Sequence, residues 1–419
     1  MSGLPRADEP IADHDLRFYV RHYRTLGPIF EASVSGRSVV VLAGPEANAF
    51  MGQAGGDVLG HHVFWQDFDR DRAGEPVVRG GAPNRQRRAV LSRGYSWART
   101  RQRVPDLVAM TRCALDGWEP GGRVLFYPWV QRLVADQLGE LLTHHRPGAR
   151  FADLVTFMHA NMATLTGTGS RDALRSAEYR GAREGVLALA REVVDTHRGP
   201  PDGRHADLVD DVVAAAARFG YELSEEQLAH VVLGPFLAGL DTVSTMASYL
   251  LHALLTHPDA LARVRSELDA AGPTWPHLHA MRALPAAAAE TLRLWPLAIG
   301  HDCEATAAFP FAGQVVEAGR RVFVAMAVPH FLPELYPEPE RFDIDRPAHR
   351  RRGVYAPFGL GDRACLGAGI AQTQLTVIVG MALSRFVLEL DPAGSSLPPY
   401  AASPNAVMRT LGVRVVGVR

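Results

Sequence analysis

The chain has 419 residues, 47% of them apolar and 21% charged, with a formal net charge of −1. This is the balance of an ordinary globular protein, and it argues against a chain built as a whole to bind nucleic acid. All 44 basic residues are arginines, and the three cysteines, Cys113, Cys303 and Cys365, stand too far apart for a metal knuckle or a disulfide framework, which favours a reducing, cytoplasmic setting.

The first segment, MSGLPRADEPIADHD, is polar and acidic and reads as neither a signal peptide nor an anchor. Two β-rich runs follow, PIFEASV and RSVVVLA, separated by Ser-Gly, and they read as a hairpin. From about Asn84 to Glu267 the periodicity is mostly helical, broken at Pro and Gly. The longest predicted helix is LSEEQLAHVVLGPFLAGLDTVSTMASYLLHALLTH. Ser224 and Gln227 form a capping box at its start, and His257-Pro258 marks its end. Its apolar stretch carries Asp241 and a Gly-Pro pair, so a buried core helix fits better than a membrane span. Pro235 lacks an N–H and clashes with the carbonyl of Val231, which predicts a kink.

Another helix covers PAAAAETLRLW, and FPFAGQVVEAGRRVFVAMAV supplies short strands between Gly turns. The Pro-rich run PHFLPELYPEPERFDIDRP is too long for a plain connector. The last helix is GIAQTQLTVIVGMALSRF. No repeat or flexible linker interrupts this order. The expectation is one domain over residues 1–419, mainly α with a small β region (α+β), the β-rich parts lying at about 28–43 and 305–328.

The stretch APFGLGDRACLGAGIA surrounds Cys365 with Gly359, Gly361, Gly367 and Gly369. Glycine permits backbone angles closed to other residues, so the loop can turn tightly and approach a flat ligand. Loop N–H groups and the following helix N-terminus favour thiolate over thiol. Arg363 can anchor an anion, and Phe358 can shield the sulfur. A single thiolate with no Cys or His partner cannot build a zinc or iron–sulfur site, but it can be the one axial ligand of a haem. A buried, inert cysteine is the alternative, and six agreeing features weigh against it.

FGLGDRACLG resembles the haem-binding signature of the cytochrome P450 family, the haem-thiolate monooxygenases. The resemblance implies a triangular helical bundle around haem b, with Cys365 as proximal iron ligand and Arg363 on a propionate. Phe358, Gly359 and Gly367 complete the signature. AGLDTVS resembles the family's oxygen-binding groove, with Ala238 at its start and Gly239 thinning the helix. It implies that Asp241 and Thr242 deliver protons during oxygen activation. The residue-level alternative is a Thr242 hydroxyl bonded back to the Ala238 carbonyl.

ETLRLWP places Glu290 and Arg293 on one helix face. In the family such a pair meets an arginine of the later meander, here Arg341. GAPNRQRRAVLSRGYS aligns Arg88 with a propionate-binding arginine, but Asn84 stands where histidine is frequent. His301 in LAIGHDCEAT matches another propionate contact, His330 matches a family histidine, and Gln374 stands where glutamate is common.

The histidine pairs 61–62, 144–145 and 277/279 lack a metal-ligand frame and read as surface residues, while Cys113 and Cys303 read as packing residues. The arginines at 85, 87, 88, 93, 99, 101 and 103 read mostly as a solvated face; those at 350–352 could steer an acidic ferredoxin. The resemblance thus implies insertion of one oxygen atom from O2 into a small apolar substrate such as a terpenoid or polyketide. Electrons would come from NAD(P)H through ferredoxin reductase and ferredoxin, and the enzyme would be a monomer without a membrane anchor. A peroxygenase or isomerase, or a non-catalytic haem-binding protein, are the alternatives.

Overall fold

The computed structural model describes the chain apart from residues 1–3, 12–13, 54, 61–81, 166–170, 198, 200–202, 219–224, 272–273, 348–350, 352 and 392–409. Ser224, His61 and His62, Arg350 and Arg352 therefore lie outside the described residues. In chain order the elements begin with helix α1 (Leu16–Leu26), strands β1 (Ile29–Val34) and β2 (Arg37–Ala43), helices α2 (Gly44–Gln53) and α3 (Gly55–Val58), and strand β3 (Leu59–Gly60). Helices α4 (Ala82–Gly94) and α5 (Trp97–Leu115), strand β4 (Arg123–Leu125) and helices α6 (Phe126–Thr143), α7 (Phe151–Leu165), α8 (Ala177–Thr196) and α9 (Leu208–Arg218) follow. Then come α10 (Glu225–Thr256), α11 (Pro258–Ala271), α12 (Trp275–Ala280) and α13 (Ala283–Leu294). Strands β5 (His301–Ala305), β6 (Phe309–Phe311), β7 (Gln314–Val316) and β8 (Arg321–Ala325) precede helix α14 (Ala368–Arg385) and strands β9 (Phe386–Leu390) and β10 (Gly412–Val418).

The described residues fall into two compact units, one drawn from 1–86 and 289–365, the other from 87–288, 366–391 and 410–419. The first holds a five-stranded sheet in the order β1-β2-β8-β5-β3 and the β6–β7 hairpin. The expected β1–β2 hairpin forms, with Ile29 opposite Leu42 and Val34 opposite Arg37. Ser35 and Gly36 turn it with φ of 48° and 72°, the two left-handed residues that a type I′ turn requires. β2 and β8 run parallel, and Val40, Leu42, Val322 and Val324 pack with Phe309 and Phe311 into one core. Cys303 belongs to that core; burial pushes its thiol up to about 12, so it stays protonated. Cys113, by contrast, is exposed rather than packed.

A buried ion cluster organises the rest of this unit. Glu290 and Arg293 are both fully buried, and Arg293 grips the carboxylate with Nε and Nη2 at 2.7 Å each. The third member is Arg346, whose Nε donates to Glu290 Oε1 at 2.8 Å. This corrects the expectation of Arg341, whose side chain pairs with Glu338 in solvent and which offers the cluster only its carbonyl. The remaining donors hold the Pro-rich run. Arg293 Nη1 reaches the carbonyls of His330 and Pro339, and Arg346 reaches those of Pro337, Glu338 and Arg341. Tyr336 lies under Arg293, 4.9 Å from ring centroid to guanidinium carbon. That irregular segment has no ladder of its own, so its carbonyls are satisfied by the two guanidiniums.

In the second unit α10 is the axis. It runs unbroken through Pro235 for 32 residues, ends at Thr256 as expected, and packs against α6, α8 and α14. Its window Val231–Thr256 is the one described helix long and apolar enough to cross a membrane, and 67% of it is buried, as in a core helix. A Cβ on Gly239 would come 2.9 Å from Leu138 Cδ1, so this glycine admits α6. β9, β10 and β4 form a small sheet with β10 in the middle.

Replacing Arg346 with alanine strips a buried carboxylate of one cation, and urea unfolding is expected to show a loss of about 3–5 kcal/mol. Arg341→Ala, at an exposed pair, is expected to change stability by no more than about 0.5 kcal/mol. Equal effects would place the third arginine wrongly.

Candidate active site

In the first unit the loop carrying Cys365 folds on itself. The N–H groups of Gly359, Arg363, Ala364 and Cys365 bond to the carbonyls of Ala356, Leu360, Gly361 and Phe358, the last at 2.6 Å. These four N–H groups therefore close turns within the loop. Only two of the four glycines take left-handed angles: Gly359 at φ 75° and Gly361 at φ 61°. Gly367 has φ −83° as the N-cap of α14, and Gly369 sits inside that helix. A Cβ on Gly361 would stand 2.3 Å from the Met51 carbonyl oxygen, so the loop can press on α2 only as glycine. The Cys365 thiol is exposed, and Phe358 is half-buried.

Arg363 lies under the loop. It is 8% exposed and donates from Nη2 to the Leu59 carbonyl, while its buried Nε and Nη1 find no acceptor among the described residues. Burial pushes it down to about 10, so it remains cationic at neutral pH. A buried guanidinium with two open donors calls for an anion. His301, at the head of β5, stands beside Gly359: a Cβ there would lie 3.4 Å from its Nε2. Burial holds its imidazole down at about 4, so it is neutral.

The loop is anchored from behind. His330 is fully buried and accepts the Ala356 N–H on Nε2 at 3.0 Å, the Tyr355 hydroxyl donates to the Ala289 carbonyl, and Asn48 Nδ2 donates to Met326 and Gly353. Asp362 leans on Arg85, which also meets Asp57. Arg85 is thus paired, as are Arg99 with Asp211 and Arg103 with Glu140, so these arginines are not one bare basic face.

In the second unit Asp241 and Thr242 point different ways. Successive helical residues are about 100° apart, which separates them. Thr242 is exposed and its hydroxyl donates to the Ala238 carbonyl at 2.8 Å, with Ala238 also exposed one turn earlier. Asp241 is buried on the other side. Its Oδ1 accepts from the Tyr127 hydroxyl at 2.8 Å and from Gln131 Nε2 at 2.6 Å, and His159 Nε2 stands 3.3 Å from Oδ2. Burial alone would raise this carboxyl; His159, Tyr127 and Gln131 outweigh it and hold it below the usual range. Arg88 is half-buried on α4, while the side chain of Asn84 lies outside the described residues.

Sequence reasoning missed Arg346, Tyr127, Gln131 and His159. Tyr127 and Gln131 left a trace, two polar residues four apart on the buried face of α6. His159 left none, because its partner is 82 positions away and on another helix. Gln374, also buried, donates to Gln137 Oε1. The described histidine pairs are engaged locally: His144 ends α6 in a left-handed turn, His145 faces Glu192, and His277 bonds the Glu267 carbonyl. His197, Asp207 and Asp210 cluster closely, but Arg204 already neutralises them.

A family model described as Cytochrome P450 matches residues 12–415. Putative cytochrome P450 139 of Mycobacterium tuberculosis is 26% identical over 394 residues, 88% of this chain and 90% of that protein. A sterol 14alpha-demethylase of Mycolicibacterium vanbaalenii is 26% identical over 374 residues, 84% of this chain and 82% of that protein. Among solved structures, a retinoic acid-bound cyanobacterial CYP120A1 superposes with a TM-score of 0.79 at 22% identity, covering 100% of both chains. The heme domain of a cytochrome P450DA mutant gives 0.82 at 21% identity, covering 100% of this chain and 98% of the other.

Gly361→Ala would force a Cβ against the Met51 carbonyl at a left-handed φ, and thermal unfolding is expected to show a loss of about 1–3 kcal/mol. Gly369→Ala meets only an ordinary contact with Trp97 inside a helix, so it should be neutral or stabilising. A reversed order would contradict this loop geometry.

Proposed function

The chain belongs to the cytochrome P450 family, whose members are haem b-dependent monooxygenases, and from that premise we propose that Cys365 would hold the haem iron of this one and that it oxidises a small apolar substrate. The observation that carries this reading is the buried Arg363, with two open donors, two residues from an exposed thiol. Those residues fit the group: haem needs one sulfur ligand and cations for its propionates. When bound, haem supplies oxygen activation and the insertion of one oxygen atom into a C–H or C=C bond.

The protein's own residues do the rest. Cys365 binds as thiolate. Arg363, His301 and Arg88 would hold the carboxylates, and Phe358 and Gly359 would shape the ground around the sulfur. Ala238 leaves room on the open face of α10. Thr242 presents its hydroxyl there and positions water, and Asp241 supplies protons to it.

Family members draw electrons from redox partners, and here we assign ferredoxin and an NAD(P)H-dependent ferredoxin reductase, with exposed Arg351 in the docking region. The substrate class is a terpenoid or polyketide, as in secondary metabolism. One fold neighbour holds retinoic acid and one relative is a sterol demethylase, both isoprenoid-derived chemistry. A monomer acting in the cytoplasm completes the reading.

Two measurements test it. Folded Cys365→Ser protein, haem-loaded and reduced under carbon monoxide, should lose the far-displaced Soret peak that the wild type shows; retention of that peak in the variant would exclude Cys365 as ligand. With a panel of retinoic acid, farnesol, cholesterol and a macrolactone, at least one should shift the haem spin state, and Asp241→Asn should lower its NAD(P)H-driven oxidation by about 10²-fold. Turnover with hydrogen peroxide alone, and none with the redox proteins, would favour a peroxygenase.

A further inference from the structure

Asp241 is 5% exposed, yet the role proposed above asks it to gain and release a proton in every turnover. A buried carboxylate obtains protons only from partners within hydrogen-bond reach. Two neighbours of this kind come from α6, and another comes from α7. Tyr127 and Gln131 are 2% and 5% exposed, and both donate to Oδ1. A phenol holds its proton to about pH 10, and an amide does not titrate, so neither feeds the carboxylate at neutral pH.

His159 differs in every respect. Its Nε2 is buried, stands 3.3 Å from the other oxygen, Oδ2, and has no aligned hydrogen bond among the described residues; yet 27% of the side chain reaches solvent. One ring thus spans from water to the buried carboxylate. An imidazole can also donate from one ring nitrogen and accept on the other, which neither a phenol nor an amide beside it does at neutral pH.

The geometry points to His159 as the solvent-side proton donor to Asp241, a relay residue that acts through that carboxylate and not on the cofactor. This rests on the proton-delivery role proposed for Asp241. The proton on Nε2 passes to Oδ2, which leaves a neutral imidazole and a carboxylic acid. The ring, now with its proton on Nδ1, turns about χ2 to bring the bare Nε2 to water, takes a proton there and turns back. Asp241 turns about χ1 from the α6–α7 side toward Thr242, hands its proton on and returns as carboxylate. One proton enters and one leaves per pass, and no electron moves.

Two variants separate relay from mere charge. His159→Gln removes both, and His159→Arg keeps a cation that cannot cycle its proton at neutral pH. In the haem-loaded full chain, with retinoic acid or the panel member that shifts the spin state most, both should convert at least fivefold less of the consumed NAD(P)H into product. Both should show a larger solvent deuterium isotope effect, with the probe's spin-shift Kd within twofold of wild type. His159→Gln combined with Asp241→Asn should be no worse than Asp241→Asn alone. Away from turnover, the Tm shifts of those two single variants should be non-additive in the double variant. Wild-type coupling in His159→Arg would reduce His159 to a charge that holds Asp241, and wild-type coupling in His159→Gln or additive Tm shifts would remove it from the path. If Asp241→Asn itself stays coupled, the role proposed for Asp241 falls as well.

Discussion

A carboxylate and two guanidiniums sealed from water set the conditions for the first unit. Removing the charges of Glu290 and Arg293 from solvent is costly, and the attraction between them offsets the cost only if the leftover donors find acceptors. Arg293 has five N–H donors, and its bonds run to Glu290 twice and to the carbonyls of His330, Pro339 and Arg341. Arg346 shares Oε1 of the same carboxylate and gives its other donors to the carbonyls of Pro337, Glu338 and Arg341. An irregular Pro-rich segment thereby becomes a fixed scaffold. His330, held by its carbonyl to Arg293, passes the constraint to Ala356, where the cysteine loop begins.

What could be read from sequence was what local chemistry dictates. Ser35-Gly36 between two β-branched runs specifies a hairpin turn, and Glu290 and Arg293 three apart on one helix must face each other. The choice between Arg341 and Arg346 was not local. Both lie in the same ten-residue stretch, and only the path of the meander decides which side chain turns inward and which leaves just a carbonyl. The glycines around Cys365 split for a similar reason. Gly359 and Gly361 serve the loop before the cysteine, whereas Gly367 and Gly369 cap and enter a helix with ordinary angles. Gly239 was read as a thinning of α10, and its neighbour proves to be Leu138 of α6.

The AGLDT stretch shows how one helix turn separates two roles. Adjacent positions on a helix cannot share a face. Here the acid is drawn into the protein by three side chains, and the alcohol stays on the uncovered side. The sequence named both residues but carried no sign of this division, because the groups that capture Asp241 come from α6 and α7.

The contrast among buried arginines separates structure from function. Arg293 is saturated, so the fold completes it, and nothing further is asked of a ligand. Arg363 is nearly as buried, but two of its donor atoms have no acceptor among the described residues. Native interiors rarely tolerate such a deficit, since an unsatisfied buried cation destabilises the chain that carries it. It persists where a bound group supplies the missing oxygens. The incompleteness lies two residues from the exposed thiol, which is where a sulfur-ligated, carboxylate-bearing cofactor would make up for it.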